Sequence, residues 1–187
     1  SNNEKQHLKF NYSYSSLTCP ESIYSYDLEK NKSSLLWQKD IVGFDANNYE
    51  DKRLFIKVRD GTNVPIILLS KANTNLKNAP ILFYGYGSYG INIDANFRSS
   101  ILPLIDRGFV FAIINIRGGG EMGKHWYEQG RLLNKMNTFY DFNDVIKSVL
   151  NQNIGDSNRV FARGGSAGGL LMGAIINLEP SLYKGIL

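Results

Sequence analysis

Val160-Phe161-Ala162-Arg163-Gly164-Gly165-Ser166-Ala167-Gly168-Gly169-Leu170-Leu171-Met172 is the stretch that decides the fold. Arg159 to Ala162 reads as a short β-strand and Ala167 to Leu178 as a helix, so a Gly-x-Ser-x-Gly turn joins strand directly to helix. So sharp a turn forces its serine into a strained backbone conformation, and small neighbours let strand and helix approach each other. Ser166 Oγ is thereby raised above the sheet edge. The N–H of Ala167, at the helix start, points at any oxyanion forming on a bound carbonyl. Ser166 is therefore the candidate nucleophile. The competing reading is a Gly-rich turn that only packs or binds phosphate, and no Gly-Lys-Ser/Thr follows to support phosphate.

Upstream, Phe139 to Leu150 carries apolar residues at Phe139, Phe142, Val145, Ile146, Val149 and Leu150, which is helical spacing. Ile81 to Tyr84 and Phe109 to Asn115 are nearly continuous apolar runs, as in strands buried on both faces of a parallel sheet. Strands and helices in alternation indicate an α/β sheet, and the serine turn makes it the first half of an α/β-hydrolase fold. Asp60-Gly61, between Arg53 to Arg59 and Val64 to Leu69, is a hairpin signal. A polar stretch, Asp45 to Lys52, separates this hairpin from what precedes it.

The first 40 or so residues read as a meander. Leu8 to Tyr14 and Ser22 to Leu28 alternate apolar and polar, and Ser34 to Gln38 gives a third strand. Thr18-Cys19-Pro20-Glu21 and Glu29 to Lys32 are read as the turns. Such a unit resembles most of one propeller blade and would leave strand edges open without neighbours. Three regions are expected: 1–40 as terminal propeller strands, 41–80 as linker and first hydrolase strands, and 81–187 as the first half of the catalytic domain.

Composition narrows the function classes. The 187 residues carry 43% hydrophobic and 20% charged side chains and a net charge of +4, with basic and acidic residues interleaved. No basic stripe marks a nucleic-acid surface, and no apolar run approaches the ~20 residues of a membrane span. Cys19 is the single cysteine, so no intrachain disulfide forms and no zinc-spaced Cys/His cluster exists. No cofactor and no metal are expected. A cytoplasmic location is expected from the cysteine usage. Ser1-Asn2-Asn3 reads as a processing scar.

In a nucleophile-turn fold the catalytic acid and then the histidine follow the serine in the chain. After Ser166 the sequence holds Glu179 and no histidine. His7 reads as a surface residue at the first strand, and His125, in Gly123-Lys124-His125-Trp126-Tyr127, is out of order as a base. This stretch is expected to hold the nucleophile without its acid and base.

Several longer blocks carry a family resemblance. They are Tyr84-Gly85-Tyr86-Gly87-Ser88-Tyr89-Gly90, Asn115-Ile116-Arg117-Gly118-Gly119-Gly120-Glu121-Met122-Gly123, Lys135-Met136-Asn137-Thr138-Phe139 and Gly165 to Gly173. Together they resemble the prolyl oligopeptidase (S9) family of serine peptidases, and within it the oligopeptidase B, or protease II, branch. The prolyl-specific branch typically has Gly-Gly-Phe after Tyr-Gly-Tyr, and Asn where Ala167 stands. The resemblance implies a size-filtering β-propeller joined to an α/β-hydrolase domain, and hydrolysis of short peptides after Arg or Lys. It implies that the Tyr86 phenol joins the Ala167 N–H in the oxyanion hole, a neutral donor suited to the task. It also implies that Asp94 helps bind a basic residue at P2. The family pattern there is Asp-Ala-Asp, and Asn96 in the second place removes one acceptor charge.

Arg117 and Glu121, which flank three glycines, are read as loop residues pairing at the surface in preference to lining the cleft. Short peptides are the expected partners, with no nucleic acid or membrane. An esterase, an aminopeptidase or a prolyl-specific peptidase of the same fold is an alternative. So is an inert truncated chain that self-associates through its open sheet, since Lys184 to Leu187 reads as the opening of a further strand.

Overall fold

The computed structural model describes residues 8–187; the strand-edge position read for His7 lies outside them. Three strands, β1 (Lys9–Ser16), β2 (Cys19–Asp27) and β3 (Lys32–Gln38), form an antiparallel sheet in the order β1-β2-β3. The remaining strands are β4 (Tyr49–Lys57), β5 (Asn63–Lys71), β6 (Ile81–Tyr84), β7 (Val110–Ile114), β8 (Val160–Arg163) and β9 (Gly185–Ile186). They make one six-stranded sheet in the order β4-β5-β7-β6-β8-β9. The β4–β5 and β5–β7 pairings are antiparallel; β7, β6, β8 and β9 run parallel. Helices α1 (Leu102–Ile105), α2 (Lys124–Glu128), α3 (Lys135–Asn151) and α4 (Ala167–Leu178) lie between the strands in sequence.

Strand alternation sorts the apolar runs onto two faces. Val64, Ile66, Leu68, Ile81, Phe83, Val110, Ala112 and Ile114 face a core shared with Phe139, Phe142, Val145, Ile146 and Val149 of α3 and Leu171, Met172 and Ile175 of α4. The residues between them, Ile67, Leu69, Leu82, Phe111 and Ile113, pack on the other face with Ile101 and Ile105. The sequence therefore builds a mixed sheet clamped between layers, the partial α/β-hydrolase fold expected of it.

Two boundaries differ from the pattern reading. The first turn is only Leu17-Thr18, and Cys19, Pro20 and Glu21 belong to β2. Pro20, which has no N–H to donate, lies at the register irregularity between the pairs Tyr14 with Ser22 and Ser16 with Cys19, where it opposes no partner, so the strand tolerates it. The polar stretch Asp45 to Lys52 is also part strand, because β4 starts at Tyr49. β4 is the sheet edge and buries little of its length, so polar residues suit it and disguise it as a loop.

The three-stranded sheet has little core of its own, and every residue of β3 is exposed. Aromatic pairs across β1 and β2 hold it locally, with Tyr12 stacked on Tyr24 at 5.5 Å and Phe10 5.3 Å from Tyr26. Its anchor is the turn. Leu17 is 2% exposed and sits in the second apolar cluster with Ile67, Leu82 and Phe111. Thr18 Oγ1 donates to Asp51 Oδ1 at 2.8 Å, and the Phe97 N–H to Ser15 Oγ at 3.0 Å. Leu17→Ala is expected to destabilise this docking by about 2–5 kcal/mol, through lost burial plus a residual cavity. Limited proteolysis checks it, with faster cleavage in β1–β3 than in the six-stranded sheet.

Candidate active site

Ser166 sits where β8 gives way to α4, with φ 56° and ψ −121°. Its side chain is exposed and its hydroxyl makes no capping bond to the helix that it precedes. The glycines around it differ in purpose. A Cβ on Gly164 would fall 2.4 Å from the Gly168 carbonyl oxygen, and one on Gly168 would fall 2.9 Å from that of Gly85. Both contacts are with backbone, so neither position accepts a side chain without moving the chain. Gly165 and Gly169 meet nothing within 4 Å, so crowding does not impose glycine there. Ala167 opens α4, whose twelve residues direct the positive end of their dipole toward Ser166.

A cleft of about 580 Å³ opens over Ser166, walled by Ser88 and Tyr89, by Tyr127, Arg131 and Lys135, and by Ala167 and Leu170 of α4. Strain concentrates in this cleft. Among the described residues, the positive-φ positions other than glycine are three asparagines, Asn31, Asn73 and Asn153, together with Tyr89, Leu132 and Ser166. Asparagine tolerates that region and recurs in turns. The other three, at φ 59°, 48° and 56°, all line the one cleft. Residues held in sparsely populated conformations cluster at active sites, and each costs about 1–3 kcal/mol.

Tyr86 lies in the loop after β6. Its ring comes 3.7 Å from where a Cβ on Gly168 would stand, so it packs against the first turn of α4. The loop is pressed in from three sides. A Cβ on Gly85 would strike Phe142, one on Gly87 would strike Ile116 and Thr138, and one on Gly118 would fall 2.1 Å from the Gly87 carbonyl oxygen. Lys135 Nζ donates to that same carbonyl at 2.7 Å and to Ser88 Oγ at 2.9 Å. Burial lowers the Lys135 ammonium from the ordinary lysine value.

Asp94 is exposed and lines a second hollow, of about 220 Å³, with Asn92, Arg53 and Glu121. Asn96 faces a different hollow, beside Lys39 and Glu21 at the three-stranded sheet. Asp94 and Asn96, the two positions that the family's Asp-Ala-Asp pattern spans, thus line separate hollows. His125 lies exposed on α2, outside the residues that wall the Ser166 cleft.

Arg117 and Glu121 do not pair with each other at the surface. Arg117 is 4% exposed and forms a bidentate bridge to Asp141, itself fully buried, through Nε at 2.8 Å and Nη2 at 2.5 Å. Its Nη1 reaches Asp60, at the β4–β5 turn, at 2.6 Å. Burial pushes the Asp141 carboxyl upward against the pull of the guanidinium. Asp60, despite some desolvation, is held below the usual aspartate range by Thr62 and Arg117. Glu121 Oε1 accepts the Ile93 N–H and Asn115 Nδ2, each at 2.9 Å. Three glycines in a row look like loop chemistry, and a partner 24 residues away leaves no local trace, so the buried bridge escaped sequence reasoning. Lys135 escaped as a cleft wall for the same reason, although it opens a recognisable block.

No cluster of His, Cys, Asp and Glu among the described residues is arranged to hold a metal ion. No described helix is long and apolar enough to cross a membrane.

The sequence profile of the Prolyl oligopeptidase family matches residues 95–187. The chain is 44% identical over 178 residues to dipeptidyl aminopeptidase BI of Pseudoxanthomonas mexicana, an alignment covering 94% of this chain and 25% of that protein. It is 40% identical over 174 residues to protease 2 of Moraxella lacunata, covering 91% of this chain and 25% of the relative. The fold superposes on oligopeptidase B from Leishmania major with a TM-score of 0.88 at 36% identity, covering 98% of this chain and 26% of that one. The chain therefore spans about a quarter of the length of the relatives it matches. Sequence and backbone agree with these peptidases on both sides of the strained serine turn, and the chain belongs to the prolyl oligopeptidase family.

Proposed function

We propose that the protein carrying this chain is a serine oligopeptidase that hydrolyses short peptides after Arg or Lys through an acyl-enzyme. The observation that carries the reading is Ser166, exposed at φ 56° on a strand-to-helix turn, at the floor of a cleft that gathers the strained non-asparagine residues. Ser166 Oγ attacks the scissile carbonyl. The developing oxyanion is received by the Ala167 N–H and the Tyr86 phenol, donors that act on charge present only in the transition state. The proton of Ser166 passes to a base outside residues 8–187, in the order usual for this fold. Residues up to about 40 serve as closing strands of a propeller, 41–80 as the approach to the hydrolase sheet, and 81–187 as the first half of that domain. Asp94, with Glu121 beside it, offers carboxylates to a basic P2 side chain. A cytoplasmic location accords with the single cysteine.

A second reading, a dipeptide-releasing aminopeptidase, is favoured by the 44% identity to dipeptidyl aminopeptidase BI. One experiment separates the two. The full-length protein is treated with a fluorophosphonate probe and then assayed on peptides with Arg, Lys or Pro at P1, each N-terminally blocked or free. The expected result is covalent label on the tryptic peptide containing Ser166, and cleavage of blocked substrates after Arg or Lys. Label elsewhere overturns the nucleophile assignment. Cleavage confined to free N-termini selects the aminopeptidase, and a preference for Pro removes the basic specificity.

A further inference from the structure

The Tyr84 to Gly90 loop has a mechanical problem. It contains three glycines, at Gly85, Gly87 and Gly90, the last two at φ +64°. Its ends are tied to the sheet and to the next loop, by the Gly85 N–H to Arg163 O at 3.4 Å and the Gly90 N–H to Gly118 O at 3.0 Å. Tyr86 lies between those ties. Glycine-rich backbone loses more conformational freedom on ordering than any other, so a donor mounted on it is held in place only at a cost in entropy.

Lys135 answers that problem. It is the first residue of α3, whose Phe139, Phe142, Val145 and Ile146 are fixed in the core, so its stem starts from a rigid base. Its ammonium reaches the middle of the loop, bonding Gly87 O at 2.7 Å and Ser88 Oγ at 2.9 Å, and lies 5.7 Å from the Phe139 ring centroid. We propose that Lys135 is a positioning residue for the oxyanion side of the site: by gripping Gly87 and Ser88 it fixes the backbone that presents Tyr86 to the substrate carbonyl. This rests on the reading of Ser166 and Tyr86 given above. A lysine whose charge is partly desolvated is an expensive way to staple an ordinary loop, and uncharged residues close most turns. A charged donor is suited to this one, because bonds from an ammonium to a carbonyl are roughly twice as strong as neutral ones.

The test uses the full-length protein, with active sites titrated by fluorophosphonate so that rates refer to competent Ser166. Lys135→Met keeps the stem and removes the charge. It is expected to lower kcat by about 10- to 100-fold, with KM within about threefold of wild type, since a misplacement of about 1 Å at a transition-state donor costs on that order. Tyr86→Phe should lower kcat comparably, and the double variant should fall no more than about twofold below the weaker single, because both act through one group. Lys135→Arg should recover part of the loss. Hydrogen exchange in residues 84–90 should quicken in Lys135→Met. If Lys135→Met does not fold, Ser88→Ala, which removes one of the two acceptors, carries the same comparison with Tyr86→Phe.

Multiplicative losses in the double variant, an effect on KM alone, or an unchanged kcat per titrated site would overturn the proposal. Wild-type protein that takes no label at Ser166 overturns the reading beneath it instead, so the two failures are distinguishable.

Discussion

Ser166→Ala in the full-length protein is expected to reduce peptide hydrolysis on the order of 10⁴- to 10⁶-fold in kcat, while leaving the fold and the affinity for substrate nearly intact. On the proposed mechanism, residual turnover would come from the oxyanion donors and substrate binding, which the substitution does not touch. Activity close to wild type would end the assignment of Ser166. The backbone adds a second expectation. Alanine at φ 56° is as strained as serine, so its thermal midpoint should barely move, whereas Ser166→Gly relieves the strain and should stabilise by about 1 kcal/mol. Stability and activity would then move in opposite directions at one residue, as they do where strain serves chemistry. Urea unfolding of the three proteins side by side measures it.

The second large effect is structural. Asp141→Ala removes the partner of a guanidinium that is 4% exposed, leaving Arg117 charged, buried and short of the three bonds it donates to Asp141 through N, Nε and Nη2. The expected cost is about 3–5 kcal/mol. Asp60, on the same arginine but 42% exposed, is a weak support by comparison, and Asp60→Ala should cost about 1 kcal/mol or less. Replacing both members of the buried pair, Arg117→Met with Asp141→Leu, should cost less than Asp141→Ala alone, because no buried charge remains. Denaturant midpoints of the variants decide the matter, and a mild Asp141→Ala would mean that Arg117 reaches solvent. The bridge also has a bearing on the cleft. Gly118, next to Arg117, lies against the Gly87 carbonyl, so loosening the arginine loosens the loop that carries Tyr86.

Local chemistry was legible and tertiary chemistry was not. The α4 helix follows the serine turn from Ala167 to Leu178 as the pattern requires, and the Asp60-Gly61 hairpin pairs Arg53 with Ile67 in unbroken register. Each is written in a few consecutive residues: glycines where strand meets helix, a turn dipeptide between apolar runs. The buried runs of β6 and β7 were legible because burial on both faces needs apolar residues at every position. What stayed hidden depends on contacts between distant segments. Nothing around Arg117 announces Asp141, and nothing around Lys135 announces Gly87. Tyr49 to Lys52 read as loop because an edge strand satisfies half its backbone with solvent and needs no apolar signature. In the candidate site the serine turn was visible at once. The wall opposite it, from Ser88 to Lys135, came only from the fold.

Leu17 also has a consequence for synthesis on the ribosome. The β1–β2 hairpin leaves the exit tunnel before the six-stranded sheet, and the cluster that receives its turn is complete only with Phe111 and Ile113, about 95 residues later. At roughly 5–20 residues per second Leu17 stays bare for on the order of 5 to 20 s after it emerges. In that interval the aromatic pairs between β1 and β2, formed by neighbours in sequence, help to hold the hairpin's shape. The rest of the chain supplies the anchor only afterwards, so in time, as in space, the first sheet is a guest of the second.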